Sequence, residues 1–597
     1  MADLSQSNPN QMIEINAPRA VERGITRVWK ARSDERLSGE LIDRVLLARG
    51  IQPDEQGQAF LNPSLKEMHD PSLIPDLDRA ATRILEAVDR DELIVIFGDY
   101  DVDGVTASAI LIHLIRAIKP EAKIESYIPH RLDEGYGINS DAIRKLDDDG
   151  ARVIVSVDCG ITAIEPALVA KELGIDLIIT DHHNPPATMA DLPDAFAVVH
   201  PRRPDSKYPF GELCGAGVAY KLAWRMATMD AGDKRVSASM RTVLIDLLGF
   251  AALGSIADIV PLVDENRVIV KHGLSRIPSL PNEGLQALIR ASGLDSEKID
   301  TEAIGFRLAP RLNAIGRLGH ARDALELMCD ATGNRAVELA EELSRINDER
   351  KKQELATVSQ AVEMAIAAGM TGVDQRAIVL AHEGWHPGIV GIVCSRLVDR
   401  FARPTILMQR TKNGCKGSGR SIEGFNLHAG LDACKDLLGT YGGHDMAAGM
   451  KCELDQFDAF ADAFISYSNA ELEPTDLVHH AKYDCIADIA ELTPTAVRQL
   501  DLLAPFGAGN RQVRLRINGL KLNGPPTPMG KTGSHLSMRV GSRTQAGPMI
   551  RVVAWNWARH LVHIPGGAPV EMIVEPKIST WNGNTRVEPV LVDLRVV

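Results

Sequence analysis

From residue 93 the apolar positions settle into a rhythm. "LIVIF" (93–97) is a short unbroken apolar run, the pattern of a strand buried on both faces. "TASAILIHLIRAI" (106–118) reads as a helix, "KIESYI" as a strand, and "INSDAIRKLDDDG" as a capped helix ending at Gly150. "RVIVSV" (152–157), a helix over 163–173 and "DLIIT" (176–180) continue the alternation. Strands alternating with helices predict βαβ units and a parallel sheet covered on both faces. Residues 215–295 read as mainly helical.

Three other textures flank this region. Residues 1 to about 85 read as short helices and loops. Residues 334–368 contain no Gly or Pro and are rich in Ala, Glu, Leu and Arg. One helix there would run on the order of 50 Å at ~1.5 Å per residue. A new strand–helix pattern, "RAIVLAHEGWHPGIVGIVCSRLVDRF" (376–401), follows, so the helix is expected to join two lobes. After "PFGAGN" (505–510), short β-prone pieces alternate with Gly/Pro turns, which suits a small barrel or OB-fold. The expected division is an N-terminal helical segment (1–85), a parallel-sheet α/β domain (86–330), a connecting helix (331–368), a smaller α/β domain (369–470) and a β-rich, OB-like domain (471–597).

Composition narrows the class without naming a function. The 597 residues are 45% hydrophobic and 24% charged, ordinary for a globular protein. No apolar run reaches the ~18 residues of a membrane span. The first residues lack the basic-then-apolar layout of a signal peptide, so a cytoplasmic protein with no membrane partner is expected. Eight scattered cysteines without a CxxC pair read as reduced thiols. The net charge of −14 runs against a generic nucleic-acid binder, though a local basic groove is compatible with it. Carboxylates gathered around metal ions would also make that formal total misleading.

The candidate chemistry is acidic. "GDYDVDG" places Asp99, Asp101 and Asp103 directly after an apolar strand. The spacing matches the first half of a calcium loop, but its twelfth position would be Ile110 instead of a glutamate. Asp158 ends the strand "RVIVSV", and Asp181, His182 and His183 follow "DLIIT". Ligand sites of open α/β sheets form beyond the carboxyl ends of strands, so these residues should meet at one sheet edge. A lone aspartate after a strand is usually a turn former or cap. Three strands delivering carboxylate or imidazole to one edge fit a Mn²⁺, Mg²⁺ or Zn²⁺ site better. Asp258, in "GSIADIVPLVDENR", lies in an apolar stretch where an unpaired carboxylate is costly. It is a helix cap or a further ligand.

"GDYDVDG", "SVDCGIT", "TDHHNPP" and "GSIADIVPLVDENR" resemble, in order, the motifs of the DHH phosphoesterase superfamily. With "PHRLDEGYG" (129–137), "APRLNAIGRLG" (309–319) and "GGHDMAAGM" (442–450), the set is similar to one family, the RecJ exonucleases, over roughly 40 to 597. The resemblance implies a parallel-sheet DHH domain, a long helix, a smaller α/β DHHA1 domain and an OB-like domain. It implies hydrolysis of single-stranded DNA from the 5′ end, in repair and recombination, with two Mn²⁺ or Mg²⁺ ions.

The same resemblance assigns roles. Asp101, Asp103, Asp158, His182 and Asp258 match metal-binding positions, with Asp158, His182 and His183 the catalytic set. Asp99 and Asp181 are neighbours of uncertain role, and Phe97 stands where some superfamily members carry a histidine. Arg131, Tyr136, Arg311, Asn313, Ser418, Arg420, Gly442, Gly443 and His444 are the substrate-binding candidates, with Arg311 and Asn313 placed either in a third shell or along the DNA path. Trp555, Trp557 and Trp581 could line an OB face or its core, and His386 could be structural. A monomer is expected, supplied with substrate by a single-strand-binding protein and a RecQ-like helicase. Two other readings stay open: a superfamily enzyme for short oligonucleotides, cyclic dinucleotides or pyrophosphate, and a catalytically silent binding module.

Overall fold

The structure is a computed structural model. It describes residues 22–33, 37–130, 134–135, 137–544, 547, 549–581 and 583–597. These form two compact units. One comprises Ala59–Glu349 and Leu503–Gln512; the other comprises the described parts of Met1–Gln58, Arg350–Leu502 and Val513–Val597.

The first unit is built on a five-stranded parallel sheet. Its strands are β1 (Leu93–Gly98), β2 (Ile124–Tyr127), β3 (Ala151–Val157), β4 (Asp176–Thr180) and β5 (Ala197–Val199), in the order β2-β1-β3-β4-β5. β1 shows why the apolar run is unbroken. Ile94 and Ile96 enter the core on one face, Val95 and Phe97 the core on the other, and all four are fully buried. Helices α1 (Val102–Ile118), α2 (Gly215–Asp230), α3 (Ala238–Ala257) and α4 (Asp264–Arg276) complete the parts that position the site. α3 is long and apolar enough to span a membrane by length and composition, although the sequence reading found no such run. Most of its apolar window is buried within the unit, as in the core helix of a globular protein.

The segment Leu503–Gln512 belongs to this unit, whereas the sequence reading carries it with the β-rich tail. Local periodicity cannot reveal such docking, because the partners lie far away in the chain.

Helix α5 (Gly333–Ala367) is continuous, and its residues divide between the two units. The second unit holds a mixed sheet of β6 (Ile378–His382), β7 (Thr405–Thr411), β8 (Gly414–Arg420), β9 (Thr440–His444) and β10 (Ala447–Cys452), ordered β9-β10-β8-β7-β6, with α6 (Pro387–Phe401) packed on it. A seven-stranded C-terminal sheet spans Cys485 to Val596. Its strands Leu515–Leu522 and His535–Ser542 also pair, which closes five of the strands into an OB-type barrel. The N-terminal region contains a strand where helices and loops were expected. Val28–Ala31 pairs in parallel with His480–Tyr483, and buried Asp593 accepts hydrogen bonds from Thr26, Arg27 and the Trp29 indole.

Candidate metal centre

The site forms where three strands and one helix end. β1 stops at Gly98, and Asp99, Asp101 and Asp103 follow. Asp101 caps α1: its carboxylate accepts from the Asp103 and Gly104 N–H groups at 2.9 and 3.1 Å. Asp158 follows β3 with φ 62°, a left-handed turn that Asp tolerates better than most residues. Asp181 and His182 follow β4, and Asp258 caps the C-terminus of α3.

Backbone groups hold Asp103 in place. Its two oxygens accept from Gly215 N at 2.6 Å and Ala216 N at 2.9 Å, the first N–H groups of α2. The fit leaves no room for side chains: a Cβ on Gly215 would lie 2.6 Å from Asp158 Cβ, and one on Gly254 2.4 Å from Asp103 Oδ1.

His182 Nε2 sits at the centre. It lies 3.2 Å from Asp158, 3.7 Å from Asp258 and 3.8 Å from Asp103, is buried, and makes no hydrogen bond among the described residues. The donors fall into overlapping groups: Asp99, Asp101 and Asp158; Asp103, His182 and Asp258; Asp158, His182 and His183. Crowding makes these acids weak without a cation. Burial, then the neighbouring carboxylates, pushes Asp158 well up and Asp258 up to about 8. Asp103 also rises, and burial lowers the His182 imidazole. A neutral imidazole aimed at several carboxylates is a mixed set of borderline nitrogen and hard oxygen donors, which Mn²⁺ or Mg²⁺ can occupy.

A second layer fixes the histidine loop. Asp181 accepts from the N–H groups of Ile161, His182 and His183 and from His183 Nδ1 at 2.8 Å. Burial alone would raise its pKa, but these bonds and the His183 charge hold it at about 2. Burial opposes charge on His183, yet Asp181 lifts it to about 9. His200 Nδ1 accepts from Arg202 N, so its Nε2–H donates to the His183 carbonyl at 2.7 Å. Arg202 donates to the His182 carbonyl at 2.6 Å.

Comparison with known proteins gives the domains and the family. Residues 93–252 match the DHH family, N-terminal domain; 374–470 match the DHHA1 domain; 483–593 match the RecJ OB domain. The single-stranded-DNA-specific exonuclease RecJ of Bacillus subtilis strain 168 is 37% identical over 93% of this chain and 68% of its own. The chain belongs to the RecJ family. Two crystal structures of RecJ from Thermus thermophilus also match. The Mn²⁺ complex has a TM-score of 0.76 at 30% identity, covering 92% of this chain and 75% of that one. The Mg²⁺ complex has a TM-score of 0.70 at 28% identity, covering 92% and 74%.

In this RecJ-family chain the metal-binding candidates Asp101, Asp103, Asp158, His182 and Asp258 converge, and Asp99 joins them. Asp181 does not face the cluster, because its oxygens are engaged with backbone N–H groups and His183. Asn313 Oδ1 accepts from Val102 N at 3.0 Å, so it braces the acidic loop from outside the ligand set. Arg311 is likewise engaged, with the Arg307 carbonyl and Ser344. Phe97 is buried and stacks on Tyr127. Arg131 and Tyr136 lie outside the described residues.

The remaining candidates form a patch on the second unit. Cross-strand pairing sets Ser418 beside Gly449 and Gly442, and Arg420 beside Ala447 and His444, on one face. The start of α6 packs there: a Cβ on Gly391 would lie 3.1 Å from the Arg420 guanidinium. His386 caps α6 through Nδ1. Trp555 is half exposed against His535, whereas Trp557 is buried.

The sequence reading missed Gly215, Ala216, His200 and Arg202. The "CGAG" start of α2 carried a readable signal, since small residues at a helix N-terminus leave N–H groups open to a carboxylate. His200 and Arg202 act on carbonyls, which no residue pattern encodes.

Proposed function

We propose that the chain is a divalent-metal-dependent exonuclease that hydrolyses single-stranded DNA from its 5′ end, in DNA repair and recombination. The observation that carries this reading is His182 Nε2, buried among Asp103, Asp158 and Asp258 without a hydrogen bond among the described residues. Asp99, Asp101 and Asp158 would hold one ion, and Asp103, His182 and Asp258 a second, with Asp158 between the two groups. Bound there, the ions would supply an activated water and charge stabilisation at the phosphate. The chain's own residues do the positioning. The N-terminus of α2 holds Asp103, and Asp181 fixes the His183 ring through Nδ1.

Ser418, Arg420, Gly442 and His444 are the proposed grip for the 5′-terminal phosphate, a guanidinium fork, a hydroxyl and bare backbone on one sheet face, with the backbone of Gly443 between Gly442 and His444. The OB-type barrel would carry the strand. We place the enzyme in the cytoplasm as a monomer, with a single-strand-binding protein and a RecQ-like helicase as its suppliers of substrate.

The deciding experiment follows 5′- and 3′-labelled single strands with Mn²⁺, Mg²⁺ or EDTA. Early loss of the 5′ label with either metal and none with EDTA is expected. Early loss of the 3′ label would reverse the polarity, and cleavage in EDTA would remove the metal reading.

A further inference from the structure

The turn between α3 and α4 carries Asp258 and is strained. Ile259, the next residue, has φ 61° and is largely exposed; Asp264 has φ 45°. A β-branched residue stays in the left-handed region only where its surroundings impose it.

Two features impose it here. The first is "DENR" (264–267), whose side chains tie the turn to the rest of the unit. Asp264 meets His69 Nε2 at 2.9 Å. Glu265, fully buried, meets the Lys221 ammonium, the Tyr208 hydroxyl and His69 N. Asn266 Nδ2 donates to the Pro261 carbonyl, inside the turn, and to the Glu212 carbonyl, three residues before Gly215. Arg267 donates to the carbonyls of Phe60, Leu503 and Ala504 at 2.7, 2.9 and 3.0 Å.

The second is the segment Leu503–Asn510. The Ala508 carbonyl accepts from Leu262 N at 2.8 Å. Gly507 is pressed against Leu262, where a Cβ would come within 2.7 Å of Cδ1. Asn510, buried, donates to the Leu503 and Pro505 carbonyls at 2.8 Å each, which holds the segment in shape.

We propose that Arg267 and Leu503–Asn510 are positioning elements of the metal centre. They set the turn that presents Asp258 to His182, so residues just before the C-terminal barrel brace a ligand far upstream in sequence. The inference rests on the metal reading above. Losing a group bonded directly to a metal ligand costs about 10–100-fold in metal affinity; this brace acts one step further out, so the lower end of that range is expected.

The test uses full-length wild type, Arg267→Lys, Gly507→Ala and, as a stability control, Leu288→Ala, a fully buried core truncation on the helix Glu283–Ala291. Lysine keeps the charge but loses the planar fork. Free Mn²⁺ is followed by electron paramagnetic resonance, with melting temperature and single-strand cleavage measured in parallel. Arg267→Lys and Gly507→Ala should bind Mn²⁺ about tenfold more weakly and regain cleavage at excess Mn²⁺. Leu288→Ala should melt earlier with unchanged Mn²⁺ affinity. The proposal is overturned if both brace variants bind Mn²⁺ like wild type, or if Leu288→Ala weakens binding as much as they do. If wild type binds no Mn²⁺, the metal reading itself fails and takes the brace with it.

Discussion

His182 Nε2 lies 3.2 Å from Asp158 Oδ1, yet the imidazole makes no hydrogen bond to it. Leaving the buried His182 Nε2 without a hydrogen bond costs about 1–3 kcal/mol. Asp158 is set by its left-handed turn, and the His182 loop is fixed by Arg202 and Asp181.

Asp158→Asn tests this arrangement with little change of shape, because Asn also tolerates the left-handed region. The metal-free variant should melt at a higher temperature than wild type, since a buried, crowded carboxyl is removed. It should lose its stabilisation by Mn²⁺, and cleavage should fall by at least about 10²-fold, the scale for one transition-state electrostatic contact. Wild-type cleavage by Asp158→Asn would refute the metal assignment.

The pH response has a definite sign. Burial and the charges of Asp103 and Asp101 raise Asp258 to about 8 from its ordinary 3.8, and Asp158 and Asp103 are raised as well. A raised carboxyl binds its proton more tightly folded than unfolded. Its support of the metal-free fold is therefore complete below pH 3.8 and lost as the pH rises through about 8. Metal-free protein should melt progressively earlier across that window. Mn²⁺ must displace those protons, so its affinity should rise with pH. Calorimetry in buffers of different ionisation enthalpy measures the protons released; an affinity independent of pH would contradict the crowding of these acids.

The site and its scaffold were legible to different degrees. Asp101, Asp103, Asp158 and His182 could be placed from the strand–helix rhythm alone, because a parallel sheet delivers its strand ends to one edge. Asp258 needed the motif, since a helix C-terminus gives no such address. That Asn313 accepts from Val102 N could not be read from the sequence, because a backbone N–H partner is silent there. Val28–Ala31 is a strand only through its pairing with His480–Tyr483, so a local pattern could not show it.

Arg420 should act on the substrate end and leave the metals alone. Arg420→Ala should raise KM several-fold for 5′-phosphorylated single strands, about the tenfold that a lost charged hydrogen bond of 1.5 kcal/mol implies. Mn²⁺ affinity should stay at the wild-type value, and strands lacking the 5′-phosphate should be affected less. Equal losses on phosphorylated and dephosphorylated strands would remove Arg420 from the end-binding patch.

His200 offers a test free of its own titration. Burial holds its pKa at about 4, so the ring is neutral throughout the working range. In that form Nδ1 accepts from Arg202 N while Nε2–H donates to the His183 carbonyl. Alanine removes both bonds and leaves the loop behind His182 and His183 unsupported. His200→Ala should lower kcat by about 10–100-fold, as for other residues that orient metal ligands, with little change in KM for DNA. His200→Gln, which keeps one donor, should recover part of the loss. The ratio of mutant to wild-type kcat should be flat from about pH 6 to 9, because a neutral spacer has no charge to lose there. A ratio that changes with pH in that range would mean that His200 takes part in proton transfer and does more than hold the loop.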